Sequence, residues 1–188
     1  EGDELTYPDL DRASDEAAVG LAALGITRGS LVLLSLPSGL DYIVAYVAAA
    51  KLGAATGGIN PRLSASERGD LASGAAPDLV LAAPGLTDGL PNRLHIEPID
   101  PGSGPPLAEL RSSGETPPPV TLIPDEPVCL CFTSGTTGRP KAAWFGGRQL
   151  RAAADLDTGG AWGGGHLIAG TAMAHVGFMT KIPWQLAA

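Results

Sequence analysis

The chain has 188 residues, 44% of them apolar, and a formal net charge of −8. That length supports a real hydrophobic core without disulfides or metals, and the apolar share excludes a disordered tail. Only three lysines occur (Lys51, Lys141 and Lys181) and no basic stripe, which argues against a nucleic-acid surface, and no run approaches the ~20 unbroken apolar residues of a membrane span.

The sequence opens Glu1-Gly2-Asp3-Glu4, with no basic start ahead of an apolar run and no initiator Met. No signal peptide is expected in it, a cytoplasmic setting is expected, and the natural protein is expected to start earlier. Leu5–Leu10 is a short segment. Asp11–Leu24 carries apolar residues at helical spacing (Ala13, Ala17, Ala18, Leu21, Leu24), and Gly25 suits its C-terminal cap. Leu31–Leu36 is a nearly unbroken apolar run, the pattern of a strand buried on both faces. Pro37-Ser38-Gly39 ends it. Asp41–Leu52 reads as an apolar helix ending at Gly53, and Ala54–Ile59 as another short strand. Ser64 followed by Glu67 has the capping-box spacing for a helix to about Ser73. Leu79–Ala82 is a further buried run. Strands alternating with helices imply right-handed crossovers and an α/β fold, a mostly parallel sheet flanked by helices.

Residues 84–126 differ in character. They are rich in Pro and Gly, including Pro117-Pro118-Pro119. Only Leu94–Ile99 and Leu107–Arg111 show a structured pattern, so a loop-rich, partly polyproline connector is expected rather than a ligand for a Pro-binding module. The chain then divides into a first α/β segment (1–83), the connector (84–126) and a third segment (127–188). In the third, Val128–Phe132 is an apolar run, Ala142–Phe145 another, and Arg148–Leu156 a helix. Thr158–Gly165 is glycine-rich, Leu167–Ala169 has strand character, and Gly177–Ala188 is helix-like up to Pro183. The sequence stops at Ala188 without a terminating signal, and a longer parent protein is expected.

Cys129 and Cys131 fall on one face of a strand. A zinc site needs a second ligand pair, and none follows at finger spacing, so both are expected to be core thiols and no metal site is expected. His166 and His175 are too far apart for a usual metal pair.

Thr133–Lys141 reads Thr-Ser-Gly-Thr-Thr-Gly-Arg-Pro-Lys. Gly135 and Gly138 permit backbone conformations and close approaches that a Cβ would block. Thr133, Ser134, Thr136 and Thr137 supply hydroxyls, Lys141 a positive charge, and Pro140 stiffens the approach to it. Such a loop, following a buried strand, can form an anion-binding nest suited to a triphosphate. The ordinary alternative is a polar turn between two strands. It is not a Walker loop, which needs four residues between its glycines and Lys-Ser/Thr directly after the second.

This loop resembles the signature of the adenylate-forming superfamily: acyl-CoA synthetases, acyl-AMP ligases, nonribosomal adenylation domains and luciferases. Weaker matches stand around it in the same order. Leu5-Thr6-Tyr7-Pro8-Asp9-Leu10 resembles an early box of that family. Ala50-Lys51-Leu52-Gly53-Ala54 with Ile59-Asn60-Pro61-Arg62-Leu63 resembles a second. Ala174-His175-Val176-Gly177 resembles its His-x-x-Gly segment. Departures occur at Ala142, where Gly is frequent, and at Gly57-Gly58, where Val-Pro is commoner.

The resemblance implies a two-step reaction. A carboxylic acid attacks the ATP α-phosphate to give acyl-AMP and pyrophosphate, with Mg²⁺ accompanying ATP. A thiol, of CoA or of the phosphopantetheine on an acyl carrier protein, then takes the acyl group. It implies that Thr133, Ser134, Gly135, Thr136, Thr137, Gly138 and Lys141 hold the ATP phosphates, and that His175 and Gly177 line the acyl pocket. The family's Thr-Glu box, ribose-binding Asp, hinge and late lysine do not appear within these residues. A parent acyl-CoA synthetase is therefore expected, for fatty or other acyl groups, with this piece inactive alone and no catalytic residue assigned within it. An acyl-AMP ligase, an amino-acid adenylation domain and a non-catalytic ATP-binding or structural module are the alternatives. Lys51, Arg62, His95 and His166 are expected to be structural, and Trp144, Trp162 and Trp184 to be core.

Overall fold

A computed structural model describes residues 4–133, 141–158 and 170–182. Helix α1 spans Tyr7–Ala23. It begins earlier than the apolar spacing from Asp11 suggested, and the cause is local. Thr6 caps it, its hydroxyl accepting from the Asp9 amide at 3.2 Å, Pro8 sits in the first turn, and Asp9 places an acid at the positive end of the helix. Strand β1 (Leu31–Ser35), helix α2 (Leu40–Lys51), strand β2 (Ala55–Gly58), helix α3 (Ala65–Ala75) and strand β3 (Leu79–Ala82) follow. Ser64 and Glu67 form the full capping box at the start of α3. Strand β4 (Ile96–Pro98), strands β5 (Pro127–Thr133) and β6 (Lys141–Gly146), helix α4 (Gly147–Thr158) and the single turn α5 (Val176–Met179) complete the elements.

The six strands form one sheet in the order β4-β3-β1-β2-β5-β6. Every neighbouring pair is parallel except β5 with β6. The expected α/β class, with a mostly parallel sheet, is what the chain adopts. Side chains alternate across the sheet. Val32, Leu34, Leu79, Leu81, Cys129 and Cys131 pack with the apolar residues of α1 and α2. Leu31, Leu33, Val80, Ala82 and Leu130 pack with Ala72 of α3 on the opposite face. Burial on both faces explains why β1 and β3 lack the polar alternation of a half-exposed strand. Truncating Leu33 or Leu34 to Ala would cost about 2–5 kcal/mol.

Residues 84–126 are anchored to this core. Strand β4 pairs with β3 at the sheet edge, and Leu90, Ile99, Leu107 and Leu110 are buried. Leu107 adopts a positive φ of 54°, held there as its amide donates to Asp41 Oδ1 at 2.9 Å. A Cβ on Gly20 of α1 would overlap the Leu110 carbonyl, so glycine is what lets the connector lie on the helix. Beside it, the buried Glu16 pairs with Arg111 at 2.7 Å.

The structural assignment of Lys51 fits its surroundings. Lys51, in the last turn of α2, bonds the Asp11 and Asp15 carboxylates at 2.7 and 2.6 Å and ties α2 to α1. Arg62 follows a tight turn in which its amide donates to Asn60 Oδ1 at 3.0 Å.

Candidate active site

Strand β5 runs through the middle of the core before it reaches the loop. Cys129, Leu130 and Cys131 are buried, Phe132 is half-buried, and Thr133 emerges at the surface. Both thiols are free. The Cys131 thiol is held above its usual range by its hydrogen bond with Cys129 and by burial. The Cys129 thiol, accepting that bond, is held below its usual range, and both thiols are buried in the core, as the sequence spacing led us to expect.

The chain returns as β6, with Lys141 opposite Thr133 in the antiparallel register. The Thr133 hydroxyl donates to the Lys141 carbonyl at 3.2 Å and pins the two arms at the mouth of the loop. Ser134, Gly135, Thr136, Thr137, Gly138, Arg139 and Pro140 lie outside the described residues. The structure therefore brings together the first and last members of the candidate phosphate set. Both are exposed, and both sit at the tip of a two-stranded hairpin.

Where that tip lies follows from the sheet. β5 is parallel to β2, with Thr56 opposite Cys129 and Gly57 opposite Leu130. The hairpin mouth thus opens beyond the carboxyl ends of β1, β2 and β3. Open α/β sheets bind their ligands along that edge, because the loops leaving the strands there are free to vary. At the far end, a Cβ on Gly146 would lie 3.0 Å from the Glu126 carbonyl oxygen and one on Gly147 3.2 Å from that of Pro124, and the Arg148 amide donates to the Pro124 carbonyl at 2.9 Å. The hairpin is rooted at both ends of β6.

His175 and Gly177 form the second candidate set. His175 is exposed and caps α5, its Nδ1 accepting from the Gly177 amide at 3.1 Å. With Nδ1 engaged as acceptor, the neutral ring carries its proton on Nε2, which is a donor. The segment leading to it is tied to the turn before α2. The Met173 amide donates to Ser38 Oγ at 3.0 Å, and the Gly39 amide to Met173 Sδ at 3.3 Å. Sequence reading missed Ser38, Tyr42 and Gly58 as neighbours of this segment. The departure at Gly57-Gly58 was the one visible signal.

Trp144 corrects an expectation. It is 50% exposed rather than core, because it stands opposite Leu130 at the sheet edge. Trp162, Trp184 and His166 lie outside the described residues. His95 is exposed on the approach to β4, where its carbonyl accepts from the Val80 amide at 2.9 Å. Among the described residues, no group of three or more His, Cys, Asp or Glu could hold a metal ion, and no helix is long and apolar enough to cross a membrane.

The model of one family, described as AMP-binding enzyme, matches residues 1–182. The long-chain-fatty-acid–CoA ligase FadD13 of Mycobacterium tuberculosis (strain ATCC 25618 / H37Rv) is 33% identical over 149 residues, which are 73% of this chain and 28% of that one. The salicyl-AMP ligase / salicyl-S-ArCP synthetase of the same strain is 37% identical over 151 residues, 73% of this chain and 27% of that one. An inhibitor-bound crystal structure of the N-terminal domain of FACL13 from M. tuberculosis superposes with a TM-score of 0.80 at 27% identity, covering 96% of this chain and 48% of that one. This chain spans less than a third of the length of the curated relatives it matches. The match over nearly all its residues, on a sheet of the same architecture, makes the chain a member of the AMP-binding enzyme family.

Proposed function

We propose that the whole protein activates a carboxylic acid with ATP and passes the acyl group to a thiol. The observation that carries this reading is the hairpin mouth, where Thr133 and Lys141 face each other at the carboxyl edge of a parallel sheet with Ser-Gly-Thr-Thr-Gly-Arg-Pro between them. Membership of the AMP-binding enzyme family supports it.

In the first step a carboxylate oxygen attacks the α-phosphorus of ATP. The bond to the bridging oxygen breaks, and acyl-AMP and pyrophosphate form. Thr133, Ser134, Gly135, Thr136, Thr137, Gly138 and Lys141 hold the β- and γ-phosphates, with Mg²⁺ entering as part of the nucleotide complex. Charge builds on the departing pyrophosphate, and a positioned ammonium with hydroxyl and amide donors stabilises it. In the second step a thiol attacks the acyl carbon and AMP leaves. His175 and Gly177 border the acyl group. CoA is the acceptor we favour, with a fatty or related acid as substrate. A carrier-protein phosphopantetheine is the second reading, favoured by the salicyl-AMP ligase relative. In this reading residues 1–83 form the first α/β segment, 84–126 a connector and 127–188 the phosphate-loop segment, all working in the cytoplasm.

The test is acid-dependent ATP–pyrophosphate exchange by the whole protein. Lys141→Ala is expected to slow it about 10²- to 10³-fold, the usual cost of losing one preorganised electrostatic contact. Exchange at the wild-type rate would remove Lys141 from the phosphate site. The 188-residue chain alone is expected to give no exchange, and robust exchange by it would show that no further segment is required.

A further inference from the structure

Tyr42 lies in the first turn of α2 and is fully buried. Its hydroxyl finds no hydrogen-bond partner among the described residues. A buried phenol in that state is destabilised relative to a paired one, so packing rather than bonding fixes its place. That place is the space left by Gly58, the last residue of β2. A Cβ built on Gly58 would overlap Tyr42 Oη, and it would lie 2.6 Å from Ala174 Cα and 2.9 Å from Ala174 Cβ.

Ala174 directly precedes His175. The segment that carries them is fastened on either side. Before it, Met173 is bonded to Ser38 and Gly39. After it, the Tyr46 hydroxyl donates to the Met179 carbonyl at 2.9 Å. Between those two fastenings, Ala174 lies against Gly58, and the Tyr42 hydroxyl lies against the same glycine.

We infer that the Tyr42–Gly58–Ala174 contact sets how far the His175 segment stands out from the core, and thereby the size of the acid the protein accepts. Tyr42 and Gly58 are positioning residues that act through Ala174. The inference rests on the proposed place of His175 beside the acyl group. An atom added at Gly58 would meet Ala174 at under 3 Å, so it pushes the segment outward and, with His175 beside the acyl group, narrows the pocket. Removing Tyr42 Oη lets the segment settle inward and widens it. The hairpin is held through Thr56–Cys129 and Gly57–Leu130, which neither change replaces, so ATP binding is left alone.

The experiment compares the whole wild-type protein with Gly58→Ala and Tyr42→Phe in ATP–pyrophosphate exchange, using straight-chain acids from butyrate to palmitate together with cinnamate. For the longest accepted acid relative to the shortest, the kcat/KM ratio is expected to rise at least about threefold in Tyr42→Phe and to fall at least about threefold in Gly58→Ala. The KM for ATP is expected to stay put in both. An unchanged ratio in Tyr42→Phe, or acid and ATP KM values that move together, overturns the inference. Should Gly58→Ala fail to fold, its crowding against Ala174 is the cause. Tyr42→Phe then decides, because it removes an unpartnered hydroxyl and costs the fold no hydrogen bond. If the wild type exchanges with none of these acids, the proposed function itself fails, and that is seen before any variant is compared.

Discussion

Glu16 sits beneath the connector with its carboxylate 2.7 Å from Arg111 and within 3.4 Å of the Gly114 amide. The bond to Arg111 is the largest influence holding its pKa below the ordinary 4.5, with burial opposing and the Gly114 amide assisting. A carboxylate depressed on folding stabilises the fold above its unfolded pKa, and that stability is lost as pH falls through the lowered folded value. Glu16→Gln is therefore expected to cost about 1–3 kcal/mol at neutral pH and to flatten the fall in melting temperature below pH 4.5, measured by thermal denaturation from pH 7 to 3. An unaltered acid limb would show that the pair contributes nothing. Little of this was legible in the sequence, because Glu16 and Arg111 are brought together only by the docking of a loop. The core thiols and the structural part of Lys51 were legible, since strand parity and a position at a helix end are local properties.

At the scale of elements, the capping box at α3 is the most direct test. The Ser64 hydroxyl accepts from the Glu67 amide at 3.3 Å, and the Glu67 carboxylate accepts from the Ser64 amide at 2.8 Å. Ser64→Ala is expected to lower stability by about 1 kcal/mol in chemical denaturation, with the slope against denaturant unchanged. A changed slope would mean that more than the cap was lost. This motif could be read directly from Ser64 and Glu67, as could β1 and β3 from their unbroken apolar runs. The start of α1 could not be read from apolar spacing. Tyr7 is 63% exposed, so the first turn adds little to the apolar stripe, and only Thr6, Pro8 and Asp9 announce it. Trp144 fails for a related reason: composition identifies an apolar strand, whereas exposure depends on whether a neighbour covers it.

For the whole molecule, alternating strands and helices were enough to give the parallel sheet, because crossovers of that length admit one handedness. The docking of residues 84–126 was not visible, since Leu107 and Leu110 are buried by α1 and α2, far away in sequence. Gly20→Val is expected to free this segment, costing about 1–3 kcal/mol and opening residues 112–120 to limited proteolysis. Resistance to cleavage equal to wild type would refute the docking. The one antiparallel pair also bears on how the molecule assembles. β5 and β6 are close in sequence and can zip as a local hairpin within about 1–10 μs. Joining β5 to β2 requires closing the chain from Thr56 to Cys129, the costlier event in entropy. The β5–β6 hairpin is thus expected to form early as an autonomous unit and to be mounted on the sheet late, once residues 84–126 have found their seat.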